Sequence, residues 1–111
     1  MEKKITLGGK EILLKATAMN LLIYQAEFGE DMFKAKGELL KAFSSEGIDY
    51  SSINSLQLLR MIWTFAKTGD KNFPPFREWM ESLDEVPVVD LYNDNIDLFL
   101  SNMITKSDIK N

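Results

Sequence analysis

The N-terminal residues alternate between apolar and polar positions, and this alternation predicts a β-hairpin over residues 3–14. Gly8 and Gly9 form its two-residue turn, because glycine reaches the positive φ angles that such turns need. In this register Leu7 faces Lys10, Ile5 faces Ile12 and Lys3 faces Leu14. One face then carries Ile5, Leu7, Ile12 and Leu14, and the other carries Lys4, Thr6, Glu11 and Leu13, which fits one buried and one wet face. An isolated hairpin is marginal in water, so we expect it to lie on helices or to borrow a neighbour's strand.

The rest of the chain follows the helical period. Helices are predicted over residues 18–28, 30–43 and 56–68, over a segment that begins at Pro74-Pro75, and over 88–104. The segment from Leu56 to Thr68 is apolar on most of its circumference, which is typical of a central helix. The pattern therefore predicts a mainly α fold with a small N-terminal β-hairpin, in which about five helices pack around this central apolar helix.

Local signals mark where these helices begin and end. Thr17 is a candidate N-cap of the first helix, and Gly29 is placed to end it. Asn54 or Ser55 can cap the central helix, and Gly69 ends it. The expected inner face of the second helix consists of Met32, Phe33, Lys36, Leu40 and Phe43. The expected inner face of the last helix consists of Val88, Tyr92, Ile96, Phe99 and Met103.

The length of 111 residues favours a single domain over 1–111. The hairpin takes up about residues 3–14, the helical body about 17–105 and a frayed polar tail 106–111. The Ser-rich stretch 44–55 is interpreted as a loop, because neither flank is large enough to fold alone.

Composition narrows the possible functions. The chain has 13 basic and 17 acidic residues, hence a net charge of −4, and such a chain is repelled by nucleic-acid phosphates. It has no cysteine and no histidine, which removes the thiolate nucleophile, the usual general base and the commonest metal ligand. No apolar run approaches a membrane span and no signal core precedes the hairpin, so a cytosolic protein without membrane or nucleic-acid partners is expected.

Carboxylates are the main candidate chemistry that remains. Asp90, Asp94 and Asp97 share one face of the predicted last helix, where they form a solvated surface, meet a basic partner or hold a cation. The pairs Glu30-Asp31 and Asp84-Glu85 lie at helix ends, where acids serve the helix dipole or fill turns. Phe73 precedes two prolines in a loop, where an aromatic side chain is hard to bury. We therefore predict no catalytic residue, no cofactor and no metal, and expect a non-enzymatic protein.

Four segments together resemble the tail assembly chaperones of long, non-contractile-tailed bacteriophages, in the versions common in prophages of Gram-positive bacteria. They are the hairpin ITLGGKEILLK, the segment LLIYQAEFGEDMF, the block LLRMIWTFAKTGDKNFPPFREWMESL and the C-terminal helix. The resemblance spans nearly the whole chain. An apolar Trp helix that ends in AKTGDK, followed by a proline-started helix with REW, is its most characteristic part.

The resemblance implies a small, mostly helical protein of the host cell cytoplasm that is absent from the mature virion. Members of that family coat and solubilise the tape-measure protein, help recruit tail-tube subunits and work in many copies. A longer form often arises in the family by ribosomal frameshift, and this chain would be the short form. The family offers no compact site motif that could be transferred residue by residue.

We expect partner contacts near the hairpin, at Ile5, Leu7 and Leu13, near Phe73, and at the acidic residues Asp90, Asp94 and Asp97. A different hypothesis also fits the composition, namely a small phage-encoded regulatory or inhibitory protein that binds a single host protein. The two differ in stoichiometry, since a chaperone decorates a long client in many copies and an inhibitor saturates at one or two.

Overall fold

The computed structural model of the chain describes residues 1–101, and about 54% of it is helical. The mainly α fold with an N-terminal β-hairpin is confirmed. The strands are β1 (Glu2–Leu7), β2 (Lys10–Lys15), β3 (Phe43–Ser44) and β4 (Gly47–Ile48). The helices are α1 (Met19–Phe28), α2 (Met32–Leu40), α3 (Ser55–Gly69), α4 (Phe76–Glu81), α5 (Val88–Asp94) and α6 (Ile96–Leu100).

The N-terminal hairpin has the predicted register. Leu7 pairs with Lys10, Ile5 with Ile12 and Lys3 with Leu14. Gly8 and Gly9 both have positive φ, 62° and 76°, as a two-residue turn of this hand requires. The face expected to be buried does lie on the helices: Leu7, Ile12 and Leu14 are buried and Ile5 is half-buried.

The helix-capping signals act largely as predicted. The Thr17 hydroxyl accepts a hydrogen bond from the Met19 amide at 3.2 Å, although α1 itself starts at Met19. Gly29 ends this helix in the left-handed conformation, with a φ of 71°. Asn54, rather than Ser55, caps α3, because its side chain accepts from the amide of Gln57 at 3.0 Å.

Helix α3 lies at the centre of the core, as the sequence indicates. Strand β2 and helices α1, α2 and α5 pack around it. Its buried apolar residues are Leu58, Leu59, Met61, Ile62, Trp63, Phe65 and Ala66. Phe28, Trp63 and Phe76 meet edge to face, with ring centroids 5.0 to 5.9 Å apart, and so join α1, α3 and α4. Leu56 at the start of α3 is exposed.

The second helix is shorter than predicted. It spans Met32–Leu40 instead of residues 30–43, because the Asp31 carboxylate caps it by accepting from the Phe33 amide at 3.2 Å. Met32 and Lys36 are buried as predicted, and Leu40 is half-buried. Phe33 and Phe43 are exposed, and the inner face is completed by Ala35 and Leu39 instead.

The Ser-rich stretch also differs from the prediction of a plain loop. Phe43 and Ser44 pair with Ile48 and Gly47 in a two-residue β-ladder. A single 3-10 turn, Tyr50–Ser52, follows and leads into α3. Phe43 belongs to β3 and not to α2, so it does not lie on the inner face of that helix.

The predicted last helix is interrupted. Asn95, with a φ of −121° and a ψ of 13°, separates α5 from α6, so six α-helices are present over residues 1–101 instead of about five. Tyr92 and Phe99 are buried on the predicted inner face, and Val88 and Ile96 pack against it half-buried. Met103, the predicted helix end at residue 104 and the predicted frayed tail 106–111 lie outside the described residues.

Candidate protein-binding surface

The two edges of the N-terminal hairpin differ in how they are covered. On β2, the Lys15 carbonyl accepts a hydrogen bond of 3.0 Å from the side chain of Asn20. The Leu13 carbonyl lies against Gly69, where a β-carbon would come within 2.8 Å of its oxygen. The outer edge of β2 is therefore closed by α1 and α3.

The outer edge of β1 is open. Met1 and Ala16 exchange two backbone hydrogen bonds, of 2.8 and 3.3 Å, so alternate residues from Met1 onward face β2. The amide and carbonyl groups of Glu2, Lys4 and Thr6 consequently point away from β2. Across residues 1–101 these groups have no hydrogen-bond partner. Such an edge can accept another strand.

A groove runs along this open edge, and we name it the edge groove. It consists of two adjoining depressions of about 550 and 450 Å³ that share Thr6 and Pro87. One wall is strand β1 from Lys3 to Leu7 and the turn that follows. The other wall is formed between α4 and α6 by Ser82, Asp84, Glu85, Pro87, Asp90, Leu91, Asp94 and Asn95.

The wall opposite β1 is strongly acidic. Asp84, Glu85, Asp90 and Asp94 are all exposed, and within the described part of the chain none of them forms an ion pair. The two lysines of β1 do not neutralise these acids, because each has another carboxylate partner. Lys3 Nζ lies 3.2 Å from Asp97 Oδ1, and Lys4 Nζ lies 3.5 Å from Glu11 Oε1.

Lys3 also fixes the distance between the two walls. Its ammonium group donates to the backbone carbonyl of Asp94 as well as to the side chain of Asp97. These bonds connect β1 directly to the junction of α5 and α6. Lys3 therefore holds the two walls of the edge groove together at one end.

A separate depression lies between the hairpin turn and α4, and we name it the turn cleft. It has a volume of about 320 Å³ and lies between the hairpin and α4. Its apolar lining consists of Leu7, Ile12, Phe73, Pro74, Trp79 and Leu83. The Phe73 ring is half-buried and packs on Trp79, with centroids 5.8 Å apart. The loop that carries Phe73 is held by Lys67, whose ammonium donates to the Phe73 carbonyl at 2.6 Å.

The structure groups five of the seven predicted contact residues. Ile5, Asp90 and Asp94 line the edge groove, while Leu7 and Phe73 line the turn cleft. Leu7 is only 4% exposed, so it supports the wall and offers little surface of its own. The predicted loop position of Phe73 is correct, but its ring is partly covered by Trp79.

Leu13 and Asp97 line neither the edge groove nor the turn cleft. The alternation predicts Leu13 on the wet face of the hairpin, but Leu13 is half-buried and its side chain lies close to Gly69. Asp97 is paired with Lys3. The break at Asn95 also removes Asp97 from the helix of Asp90 and Asp94, so the three aspartates do not form one continuous helical face. Within residues 1–101 no group of three acidic side chains is arranged to hold a metal ion.

The remaining candidate carboxylates have structural contacts. Glu30 forms an ion pair with Arg60, with 3.2 Å between Oε1 and Nη1, and Asp31 caps α2. Burial shifts the pKa of three groups that line neither the edge groove nor the turn cleft. Burial lowers the pKa of Lys36 to about 8, and burial together with the charge of Glu30 raises the pKa of Tyr24 to about 12. Burial also raises the pKa of Tyr92.

Sequence reasoning missed most of the edge groove. The sequence predicts Asp84 and Glu85 as acids that serve a helix end or fill a turn, and Lys4 and Thr6 as members of the wet face of the hairpin. The available signal was the acidic composition of residues 84–97, which carry five acids and no base. Only the folded chain shows that this acidic stretch runs beside an open strand.

No helix within residues 1–101 has the length and apolar character needed to cross a bilayer. We compared the chain with protein-family models, with curated proteins and with solved structures, and none of the three comparisons gave a match.

Proposed function

We propose that this protein is a non-enzymatic tail assembly chaperone of a long-tailed bacteriophage. It coats and solubilises the tape-measure protein, and it helps recruit tail-tube subunits in the cytoplasm of the host cell. It acts in many copies along one client and leaves before the virion is complete. The identification rests on the sequence resemblance of the four segments described above.

One structural observation carries the binding part of this proposal. An open strand edge, a row of four unpaired carboxylates and an apolar cleft lie side by side around the hairpin. Backbone groups, charge and apolar area are the three means by which one polypeptide grips another. The edge groove and the turn cleft offer all three next to one another.

The edge groove and the turn cleft also suit a client with many weak binding sites. An apolar cleft of about 320 Å³ buries a side chain or two and contributes modestly to affinity. The acidic groove adds attraction that is sensitive to salt. Repeated along a long client, such contacts gain strength through effective concentration, while each copy can still dissociate.

The test is co-expression with the tape-measure protein encoded in the same phage genome. The wild-type chaperone is expected to keep most of the tape-measure protein in the soluble fraction. The double variant Asp90→Lys with Asp94→Lys is expected to reduce that soluble fraction severalfold. Asp97 is left intact because reversing it would break the internal pair with Lys3.

The matched control is Glu27→Lys with Glu46→Lys. Both glutamates are exposed, and neither lines the edge groove or the turn cleft. The control changes the net charge by the same amount, so retained solubilisation assigns the loss to the groove. If wild type and both double variants give equally insoluble tape-measure protein, the chaperone proposal is wrong.

Light scattering on the purified complex then distinguishes the regulatory alternative. A chaperone complex contains many copies per client. One or two copies on a single host protein would favour a regulatory or inhibitory function instead.

A further inference from the structure

We propose that the edge groove binds an extended, basic segment of a partner polypeptide, which pairs with β1 as a third strand. This inference deepens the proposed function, since the segment would belong to the client or to another tail protein. It stands, however, on the geometry of the groove and can be tested without either protein.

The backbone of β1 provides the first argument. The outward amide and carbonyl groups of Glu2, Lys4 and Thr6 repeat every second residue, at a spacing of roughly 6.6 Å. Those of Lys4 and Thr6 lie along the groove, and none of the outward groups has a partner among the described residues. An extended chain offers complementary groups at the same spacing, whereas a helix has already used its own.

The acidic wall indicates the charge of the segment. Asp84, Glu85, Asp90 and Asp94 line the side of the groove that an added strand would approach. The lysines of β1 are engaged with Asp97 and Glu11, so nothing on the opposite wall offsets the four acids. A segment that carries lysine or arginine gains from all of them, and an acidic segment is repelled.

The spacing of the acids narrows the sequence of the segment. Asp90 and Asp94 are four residues apart on α5, which places them about 6 Å apart along the helix axis. Side chains at positions i and i+2 of a strand lie on one face at a similar separation. Basic residues at i and i+2 of the segment match this separation, and β-branched residues between them favour the extended conformation.

A second copy of this chain fits the groove less well. Its own β1 brings Lys3 and Lys4, but both are already paired with carboxylates of the same molecule. The remainder of a second copy carries a net negative charge to a surface that is itself acidic.

The probe is an eight-residue synthetic peptide in which lysine alternates with valine or threonine. Two companion peptides isolate the two arguments. In one, glutamate replaces lysine. In the other, every second backbone nitrogen is methylated, which keeps the charge but removes the amides that pair with β1. Affinity is measured by isothermal titration calorimetry at 50 and 300 mM salt.

The expected result is saturable binding of the lysine peptide with one site per chain. Binding by the glutamate and N-methylated peptides should be weaker by about tenfold or more. The double variant Asp90→Lys with Asp94→Lys should bind the lysine peptide about tenfold more weakly than wild type. The affinity of Glu27→Lys with Glu46→Lys should stay within about twofold of wild type. In NMR hydrogen exchange, the amides of Lys4 and Thr6 should become protected only when the lysine peptide is present.

Several results would overturn the proposal. Equal binding of the N-methylated peptide would show attraction by charge alone. Protection of the Lys4 and Thr6 amides in the free protein that is lost on dilution would assign the edge to a second copy. Protection lost on deletion of residues 102–111 would assign it to the chain's own C-terminal segment. Solubilisation of the tape-measure protein without peptide binding rejects the groove alone, and peptide binding without solubilisation rejects the chaperone proposal alone.

Discussion

The buried ammonium group of Lys36 donates a hydrogen bond of 2.9 Å to the backbone carbonyl of Ser101, 65 residues further along the chain. Lys36 is 1% exposed and lies 5.6 Å from the centroid of the Phe65 ring. Among the described residues it has no carboxylate partner. This bond joins α2 to the end of α6, at the cost of removing a charge from water.

Because Lys36 is buried, the free energy of unfolding is expected to increase with pH above neutrality. Burial lowers the pKa of Lys36 from 10.5 to about 8. Between these values the unfolded chain binds a proton that the folded chain does not, so the free energy of unfolding increases as the pH rises. We expect a gain of about 3 kcal/mol at most over that range, measured by urea unfolding at several pH values.

Tyr24 and Tyr92 limit the range over which this gain is visible. Their pKa values are raised by burial, that of Tyr24 to about 12, so the folded chain keeps protons that the unfolded chain loses above pH 10. Stability then falls, and the slope of Lys36 is best measured between pH 7.5 and 9.5. Lys36→Met should abolish this slope, whereas Lys34→Met, at an exposed position of α2, should keep it. A slope that persists in Lys36→Met would assign it to other groups.

Gly69 permits the close approach of α3 to the hairpin. A β-carbon at this position would lie 2.8 Å from the Leu13 carbonyl oxygen and 3.2 Å from Leu13 Cγ. Backbone cannot move aside as a flexible side chain can, so Gly69→Ala is expected to cost about 1–3 kcal/mol of stability. The loss should appear as a lower urea midpoint with an unchanged slope.

Gly37 provides the matched control for Gly69. It also lies within a helix, but a β-carbon there meets no atom within 4 Å. Gly37→Ala should therefore stabilise the protein by about 0.5–1 kcal/mol through reduced backbone entropy of the unfolded chain. Opposite signs for the two substitutions would separate the contact with Leu13 from helix propensity, and equal signs would refute the close approach.

Asn20 connects three elements through a buried side chain. Its amide nitrogen donates to the Lys15 carbonyl at 3.0 Å and to the Thr68 hydroxyl at 2.8 Å, and its oxygen accepts from the Thr17 amide at 3.0 Å. Asn20→Ala leaves buried groups unpaired and is expected to cost about 2–3 kcal/mol. Gln25→Ala, at an exposed position of the same helix, should change stability by less than about 0.5 kcal/mol. Thermal unfolding of both variants tests this difference.

The sequence predicts those parts of the fold that depend on neighbouring residues. The hairpin register follows from Gly8-Gly9 and the alternation around it, and the helix ends follow from Gly29 and Asn54. Each of these signals acts within a few residues, so the pattern of one sequence contains it.

The apolar period indicates neither the contacts between distant residues nor the side-chain bonds that interrupt a helix. The period correctly places Lys36 on an inner face, but it does not indicate that Ser101 is its hydrogen-bond partner. Asn95 interrupts the last helix although the apolar period continues through it. Its buried side chain donates to the Leu91 carbonyl at 2.9 Å, a local bond that competes with continuation of the helix.

The candidate site is the least predictable part because it depends on contacts between residues far apart in the sequence. The edge groove joins β1 to residues at least 75 positions later in the chain. Alternation identifies β1 as a strand, and composition identifies the later stretch as acidic. Neither pattern indicates that the two run side by side, because that depends on how α3, α4 and α5 pack beneath the hairpin.

Lys3 and Lys4 provide a prediction that tests the attachment of the hairpin. The two lysines are neighbours on β1 but project to opposite faces. Lys3 has a side chain that is 26% exposed and is bonded to Asp97 and to the Asp94 carbonyl. The pair of Lys4 and Glu11 is about 65% exposed at both side chains. We expect Lys3→Met to cost about 1 kcal/mol and Lys4→Met close to nothing, since exposed pairs contribute little.

Salt distinguishes the two contributions of Lys3. Its ion pair with Asp97 is screened in 1 M NaCl, whereas its hydrogen bond to the Asp94 carbonyl in the folded chain is less affected. The difference in unfolding free energy between wild type and Lys3→Met should therefore shrink with salt but not vanish.

Because Lys3 also ties β1 to the far wall of the edge groove, the same variant should weaken binding of the basic peptide although it removes a positive charge from the groove. Tighter peptide binding by Lys3→Met would mean that charge, and not the fixed separation of the walls, governs occupancy of the groove.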